Sequence, residues 1–340
     1  MTSVSTWPLW DAHVACSGYR DSPLAGDAVS PYRTILELLA QEGVAGCLQL
    51  GVPIESLYAL GEPRTSGSLA VTRAGAWLDG QLHGFRLTRV CRDEAAVRRS
   101  VQAFAFEGLD AVACGASLDP QLATLAVLDA ADRGLACVLE AGPGTAAVLG
   151  RVAPACVHGL LGLVADGHGE LPAFERTARL AETDRELLRL RFEPALERGV
   201  AIAPLLLRLR RSVVLEEAIS APGLERLTAI LPYHRHLIEL RSPAALRFGR
   251  KHINRYLGFP KLDRAERARF DRGWDVLLEL LVDVAERGGV LAGASGAPDI
   301  GLCPGIALRE EAQLWLTAGV DAETVRDAFC APALCEQAAS

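Results

Sequence analysis

Short apolar runs alternate along the chain with segments whose apolar residues recur at helical spacing. Eight of these runs have the length and composition of buried strands. They lie at 7–15, 44–51, 69–78, 109–117, 135–142, 156–164, 199–207 and 288–298. Helices are predicted between nearly all of them, for example at 93–107, where "DEAAVRRSVQAFAFE" has apolar residues at helical spacing.

Repeated strand–helix units predict an α/β protein with parallel strands joined by helical crossovers. Eight such units in about 300 residues favour a closed, TIM-type (β/α)8 barrel over an open sheet. We therefore expect a single barrel domain over 1–340. The segment 208–286, between the seventh and eighth strands, is predicted to be helical. It is either a peripheral crossover or a cap over the mouth of the barrel.

The charge balance excludes some partners. Lys and Arg number 35 against 42 Asp and Glu, a net charge of -7, which gives no reason to expect nucleic-acid binding. No uncharged apolar run reaches the roughly 18 residues that a membrane span needs, and the N-terminus does not have the pattern of a signal peptide. The nine cysteines include no CxxC pair, which is typical of reduced, buried thiols in a cytoplasmic protein.

The first apolar run raises a question about metal binding. In "LWDAHVA", Asp11, His13 and position 15 are two residues apart, so strict alternation would place them on one face of a strand. A metal site would want a second imidazole at position 15, but the residue there is Ala15. The run therefore indicates either a metalloenzyme start with a missing ligand or an ordinary buried histidine.

Three longer stretches resemble the amidohydrolase superfamily, most closely its imidazolonepropionase- and prolidase-type branch. They are "WLDGQLHGFRLTRVCRDEAAVRRSV", "GLDAVACGASLDPQLATLAVLDAADRGLACVLEAG" and "GGVLAGASGAPDIGLCPGIALREEAQLWLTAGVDAETVRDAFCAPA". The resemblance extends from about residue 8 to about residue 335. It implies a (β/α)8 barrel with one or two divalent metals, here without the small β-sandwich that many relatives carry.

The resemblance also implies metal ligands at the strand ends, and most of them have changed. His13 and His158 are kept. The family's second histidine, lysine, fifth-strand histidine and eighth-strand aspartate are replaced by Ala15, Ala113, Glu140 and Ser295. Two histidines alone cannot hold a metal that lowers the pKa of bound water toward about 7. We therefore expect no metal and no other cofactor.

The remaining polar groups predict acid–base chemistry. In this fold the ends of the first, fifth and sixth strands converge on one lumen. We predict that Glu140 and His158 act as an acid–base pair, with His13 orienting the substrate or stabilising developing charge. The alternative for the histidines is that they are relics that hydrogen-bond within the barrel. For Glu140 it is a salt bridge to an arginine.

Four further residues are candidates for substrate binding: Asp11, Ser295, Arg208 and His168. Arg208 follows the seventh strand and could hold a substrate carboxylate, or it lies on a solvated charged face. His168 follows the sixth strand on a loop that either reaches the mouth or is plain surface. Ser295 in "GASGA" lacks the second glycine of a nucleophile elbow.

The small residues Ala15, Ala113 and Gly115 should open volume at the mouth, as in a site for a small organic ligand. Three classes stay open. The first is a metal-free enzyme for cyclisation, elimination, isomerisation or hydrolysis, which by analogy would belong to specialised metabolite biosynthesis. The second is a non-catalytic relative that binds a small molecule or a partner protein. The third is a mononuclear metalloenzyme using His13, Glu140 and His158. Homo-oligomer formation is also left open.

Overall fold

The structure is a computed structural model. It describes residues 4, 7–15, 29–50, 71–80, 88–165, 171–228, 234–242 and 259–330. Within these ranges, the side chains of 13–15, 29–33, 71–73, 88 and 234–236 are not described.

The described strands form one parallel sheet. In chain order they are β1 (Leu9–Ala15), β2 (Val44–Leu50), β3 (Val71–Asp79), β4 (Thr88–Val90), β5 (Ala111–Cys114), β6 (Ala136–Glu140), β7 (Cys156–His158) and β8 (Ala201–Ala203). The pairing order is β1-β2-β3-β5-β6-β7-β8. The short strand β4 pairs with the last residues of β3, beyond the part of β3 that pairs with β2.

An extended segment at 290–293 takes the last position in the barrel wall. Ile202 of β8 forms a parallel bridge with Leu291. On the other side, the Ala12 N–H of β1 donates to the Gly293 carbonyl oxygen at 2.8 Å. These contacts bring β8 and β1 round into one barrel, which confirms the predicted (β/α)8 architecture.

Helices follow most of the strands and pack around the barrel. In the described residues they are α1 (Val29–Gln41), α2 (Glu94–Phe106), α3 (Pro120–Ala131), α4 (Thr145–Leu149), α5 (Leu160–Val164), α6 (Ala173–Leu180), α7 (Arg185–Glu197), α8 (Leu206–Val213), α9 (Leu215–Ile219), α10 (Leu224–Leu227), α11 (His234–Glu239), α12 (Arg264–Glu286), α13 (Ile306–Ala318) and α14 (Ala322–Cys330). The described part of 208–286 is thus largely helical. Its role as crossover or cap stays a prediction.

The buried apolar residues form two layers. The larger layer lies between the barrel and its helices. The smaller one fills the lumen and is rich in alanine: Ala111, Ala113, Ala201, Ala203, Ala292 and Ala294 belong to it. Side chains alternate between these two layers along β5, β6, β7 and β8, so the layer to which a residue belongs shows which way its strand position faces.

A bulge in β1, between Asp11 and Val14, interrupts the regular register on which the expected alternation depends. Asp11 pairs with Cys47, whereas position 15 pairs with Leu50, so four steps in β1 oppose only three in β2. Cys47 belongs to the outer layer and Leu50 to the lumen. Because paired positions face the same way, Asp11 faces the outer layer and not the lumen.

Candidate active site

Glu140 and His158 lie side by side at the carboxyl ends of neighbouring strands. They are direct partners in the register of β6 and β7. Val138 and Cys156, two residues earlier on the same strands, belong to the lumen layer, so both polar residues face the lumen. His158 is only 1% exposed. The structure thus brings together the two residues that we selected from the sequence, and their catalytic role stays a prediction.

Two groups from other elements act on the Glu140 carboxylate. The backbone N–H of Ala116, in the turn after β5, donates to its Oε2 at 3.3 Å. Arg176 on α6 interacts with it electrostatically. Burial lowers the pKa of the Arg176 guanidinium, and the negative charge of Glu140 acts in the opposite direction. Arg176 is therefore the candidate for the arginine partner of Glu140, and no pattern in the sequence indicated it.

The position of Arg176 is fixed by a close helix contact. A Cβ on Gly273 of α12 would lie 1.8 Å from the carbonyl oxygen of Thr177, the residue after Arg176. Only glycine lets the two backbones approach in this way. The contact joins segments far apart in sequence, so no local pattern around Arg176 could have shown that it lies near Glu140.

A second acidic residue, Asp79, lies at the end of β3. It is fully buried, and Trp77 two residues earlier is in the lumen layer. Its Oδ1 accepts hydrogen bonds from the Gly80 N–H at 2.7 Å and from the Ser117 hydroxyl. A Cβ on Gly115 would lie 1.9 Å from Asp79 Oδ2, so the carboxylate fills the space that we expected Gly115 to leave open. That expectation is wrong at this position.

Asp11 and Ser295 form a buried connection between the first strand and the segment after the eighth. Asp11 Oδ1 accepts from the Ser295 backbone N–H at 2.9 Å, and its Oδ2 accepts from the Ser295 hydroxyl. The Ser295 hydroxyl oxygen also accepts from the Ala297 N–H at 3.0 Å. The substrate-binding role predicted for both residues stays a prediction, but their polar groups serve to join two parts of the wall.

The other predicted binding residues are not brought to Glu140 by any described contact. Arg208 Nε donates to Asp299 Oδ2 at 2.9 Å, in a pair that is partly exposed. Position 13 lies in β1, but the side chain of His13 is outside the described residues, and so is the whole of His168.

The turn after β8 is strained and lies next to His158. Leu205 has a positive φ of 55°, which is unusual for a residue with a side chain, and its side chain belongs to the lumen layer. The backbone of this strand end is bonded to the turn after His158, because the Gly159 N–H donates to the Ala203 carbonyl at 2.8 Å.

A buried carboxylate from another helix holds the start of α8 in place. Glu311 of α13 accepts from the backbone N–H groups of Leu206 at 2.9 Å and Leu207 at 2.6 Å, and from Trp315 Nε1 at 3.0 Å. Because the Glu311 carboxylate accepts from the first N–H groups of α8, it fixes the geometry of the strained turn that precedes this helix. The sequence gives no local signal for this residue.

The described donors do not fit the metal centre that the family resemblance implies. In the described residues, no three His, Cys, Asp or Glu side chains are close enough together to hold a metal ion. The lumen position of the fourth barrel strand holds Ala113, and that of the eighth holds Ala294, neither of which can ligate a metal. Hydrolytic metal sites use three or more protein ligands, a number that this part of the chain does not supply.

None of the described helices is long and apolar enough to cross a membrane.

Comparisons with solved structures show the fold. No protein-family model matches the sequence, and no curated protein matches it. The bottromycin amidohydrolase AH has a TM-score of 0.66 at 20% identity, over 96% of this chain and 66% of that one. A Xaa-Pro dipeptidase with bound methionine has a TM-score of 0.54 at 13% identity, over 94% of this chain and 73% of that one. A. niger ochratoxinase has a TM-score of 0.55 at 14% identity, over 94% of this chain and 69% of that one.

These identities are too low to show function. This chain spans just under two thirds of the length of the bottromycin amidohydrolase. What the similarity shows is that the chain has the fold of amidohydrolase-superfamily proteins, which confirms at the level of the fold the resemblance seen in the sequence.

Proposed function

We propose that this protein is an enzyme that transfers protons on a small organic substrate at the mouth of the barrel, using Glu140 and His158 and no metal ion. The observation that carries the proposal is the placement of these two residues as register partners at the carboxyl ends of β6 and β7. Strand ends of this kind carry the catalytic groups in barrels of this fold.

The two side chains have complementary chemistry. The Glu140 carboxylate can accept a proton, and it is held in place by the hydrogen bond from the Ala116 N–H. The imidazole of His158 is suited to give or take a proton near neutral pH. In the proposed reaction, Glu140 removes a proton from an attacking group and His158 gives a proton to the departing group. His13 would orient the substrate from the first strand.

The fold neighbours suggest a carbonyl substrate. Two of them are named as an amidohydrolase and a dipeptidase, and such enzymes cleave amide bonds. In our proposal a nucleophile attacks a carbonyl carbon, the bond to the departing group breaks, and that group leaves with the proton from His158. Water as the nucleophile gives hydrolysis, and an internal amine or thiol gives cyclisation. Elimination and isomerisation would need only the same base and acid.

The expected rate enhancement restricts the substrate. Proton transfer by positioned side chains contributes typically about 10²- to 10⁴-fold. Without a metal to polarise the carbonyl, the substrate must be intrinsically reactive, as in the closure of a preformed chain. We place such a reaction in specialised metabolite biosynthesis in the cytoplasm. The free thiols of the seven described cysteines support a reducing compartment.

The experiment screens the purified protein, with and without chelator, against small amides, esters and chain precursors that can cyclise, with products detected by mass spectrometry. We expect turnover that chelator does not change. Glu140→Gln and His158→Ala should each lower it at least about tenfold while the melting temperature stays near that of the wild type. Arg179→Met, on α6 in a partly exposed pair with Glu175, is the matched control and should be fully active.

Full activity in both variants, or activity lost to chelator and restored by zinc, would contradict the proposal. A second candidate is a barrel that only binds its ligand. It is favoured by the almost complete burial of His158 beneath the mouth. Tight binding of a compound that the protein leaves unchanged would support this second function.

A further inference from the structure

The turn after β5 is packed between the ends of two neighbouring strands. We call residues 115–117 the β5 turn; in the sheet, β5 lies between β3 and β6. A Cβ on Gly80, just after β3, would lie 2.4 Å from the carbonyl oxygen of Ser117. A Cβ on Gly142, shortly after β6, would lie 2.8 Å from the Cβ of Ala116. Because both neighbours are glycines, the β5 turn packs directly against the two strand ends.

Two carboxylates hold the β5 turn, one from each neighbouring strand. From β3, Asp79 Oδ1 accepts hydrogen bonds from the Ser117 hydroxyl and, at 2.7 Å, from the Gly80 N–H. From β6, Glu140 Oε2 accepts from the Ala116 N–H at 3.3 Å. The two acidic residues are therefore connected through two consecutive residues of one turn.

Asp79 can act on the chemistry only through the β5 turn. Its side chain is fully buried, whereas Ser117, to which it is bonded, is exposed. We propose that Asp79 is a positioning residue for the acid–base reaction: through Ser117 it fixes the turn whose Ala116 N–H holds the Glu140 carboxylate. This inference rests on the proposed function, because Glu140 has its role as the base only there.

The hydrogen bond between the β5 turn and Glu140 is sensitive to small movements. At 3.3 Å, the distance from the Ala116 nitrogen to Oε2 is at the long end of the ordinary range, so a shift of a few tenths of an ångström weakens the bond. A catalytic group has to be held within roughly 0.5 Å of its productive position. Since Ser117 directly follows Ala116, the bond from Asp79 restricts the movement that would release Glu140.

Nuclear magnetic resonance tests the connection without a substrate. The Ala116 amide proton is the reporter, because a change of charge on the carboxylate that it binds shifts its resonance. We expect this resonance to titrate with pH in the wild type and not in Glu140→Gln. Ser117→Ala and Asp79→Ala should lower the amplitude by about half or more and speed up hydrogen exchange of this amide about tenfold. Asp79→Asn, which keeps the accepting oxygen, should retain most of the amplitude.

Asp110 offers a matched control on the same strand. Its Oδ2 accepts from the backbone N–H of Ala74, earlier in β3, at 3.0 Å. Asp110→Ala therefore removes a similar bond from a carboxylate to this part of the sheet, but should leave the Ala116 reporter unchanged. An unchanged reporter in Ser117→Ala, or an equal response in Asp110→Ala, would overturn the inference. If Asp79→Ala does not fold, Ser117→Ala and Asp79→Asn decide.

Turnover of a substrate found by the screen separates positioning from a purely structural role. Ser117→Ala should lower kcat about tenfold with KM near the wild-type value, and Asp110→Ala should change neither. An unchanged kcat in Ser117→Ala would refute the positioning role while leaving the acid–base proposal in place. A fully active Glu140→Gln would refute the acid–base proposal itself, and with it the role of Asp79 in the reaction.

Discussion

Replacing Glu311 should destabilise the protein far more than replacing an exposed glutamate. Glu311 is 1% exposed and accepts from three donors, the N–H groups of Leu206 and Leu207 and the indole of Trp315. Each buried donor left without an acceptor costs about 1–3 kcal/mol. Glu311→Ala leaves all three donors without their acceptor and should therefore lower the free energy of unfolding by about 3–9 kcal/mol.

Glu311→Gln tests the same contacts at nearly constant shape. Its amide oxygen can still accept from Leu206 and Trp315, but its NH₂ then faces the Leu207 N–H, so one hydrogen bond is lost. We expect a loss of about 1–3 kcal/mol. The control is Glu323→Gln on α14, at a side chain that is 77% exposed, where the change should stay within about 0.5 kcal/mol.

The pH dependence of the free energy of unfolding tests the buried environment of Glu311 independently. Burial raises the pKa of Glu311 above its ordinary value of 4.5, although the hydrogen bonds from Leu207, Trp315 and Leu206 act in the opposite direction. The folded protein thus holds this proton more tightly than the unfolded chain. The stabilisation linked to the proton is complete below pH 4.5 and is lost as the pH rises through the folded pKa.

Urea unfolding followed by tryptophan fluorescence at about pH 5 and pH 8 measures both effects. The difference in unfolding free energy between the wild type and Glu311→Gln should be larger at the lower pH. A difference that grows as the pH rises would refute the raised pKa. An alanine variant within 1 kcal/mol of the wild type would refute the structural role that we assign to the carboxylate.

Two further predictions concern packing. Gly115→Ala should destabilise the protein by about 1–3 kcal/mol in urea unfolding, because its Cβ would collide with the Asp79 carboxylate; Gly150→Ala, which has ordinary contacts, should be nearly neutral. Burial raises the pKa of Cys47 and of Cys156 to about 12, so iodoacetamide at pH 8 should leave both thiols unmodified in native protein and should label both in urea-unfolded protein. Mass spectrometry of tryptic peptides measures the labelling, and a labelled thiol in the native state would contradict the buried environment.

Much of the fold could be predicted from the sequence because parallel barrel strands are buried on both faces. Their apolar runs are then nearly continuous, and every predicted run contains a strand or a segment of the barrel wall. The short strand β4 was missed because its three residues have no pattern of their own. The bulge in β1 was missed for a related reason: one inserted residue barely changes an apolar run, although it turns Asp11 toward the outer layer.

Some residues of the candidate site could likewise be predicted from the sequence, and others could not. Glu140 and His158 could be found because they end predicted strands, and the fold brings strand ends together. Asp79 comes one residue after its predicted run and was overlooked. Arg176 and Glu311 could not be found, because their positions depend on contacts between helices far apart in sequence, at Gly273 for the first and at the start of α8 for the second.

The polar groups at the strand ends have two kinds of surroundings, and this difference supports the proposed division of labour. Asp11 and Ser295 bind each other inside the wall, and Glu311 is committed to the backbone of α8. These groups hold the barrel and its turns together, and moving them would change the fold. Glu140 and His158 differ because they face the lumen from adjacent strands. Ala113 and Ala294 occupy the lumen positions of β5 and of the segment after β8, so Glu140 and His158 are, with Asp79, among the polar side chains that face the lumen in the described residues, and our proposal places the reaction at the first two.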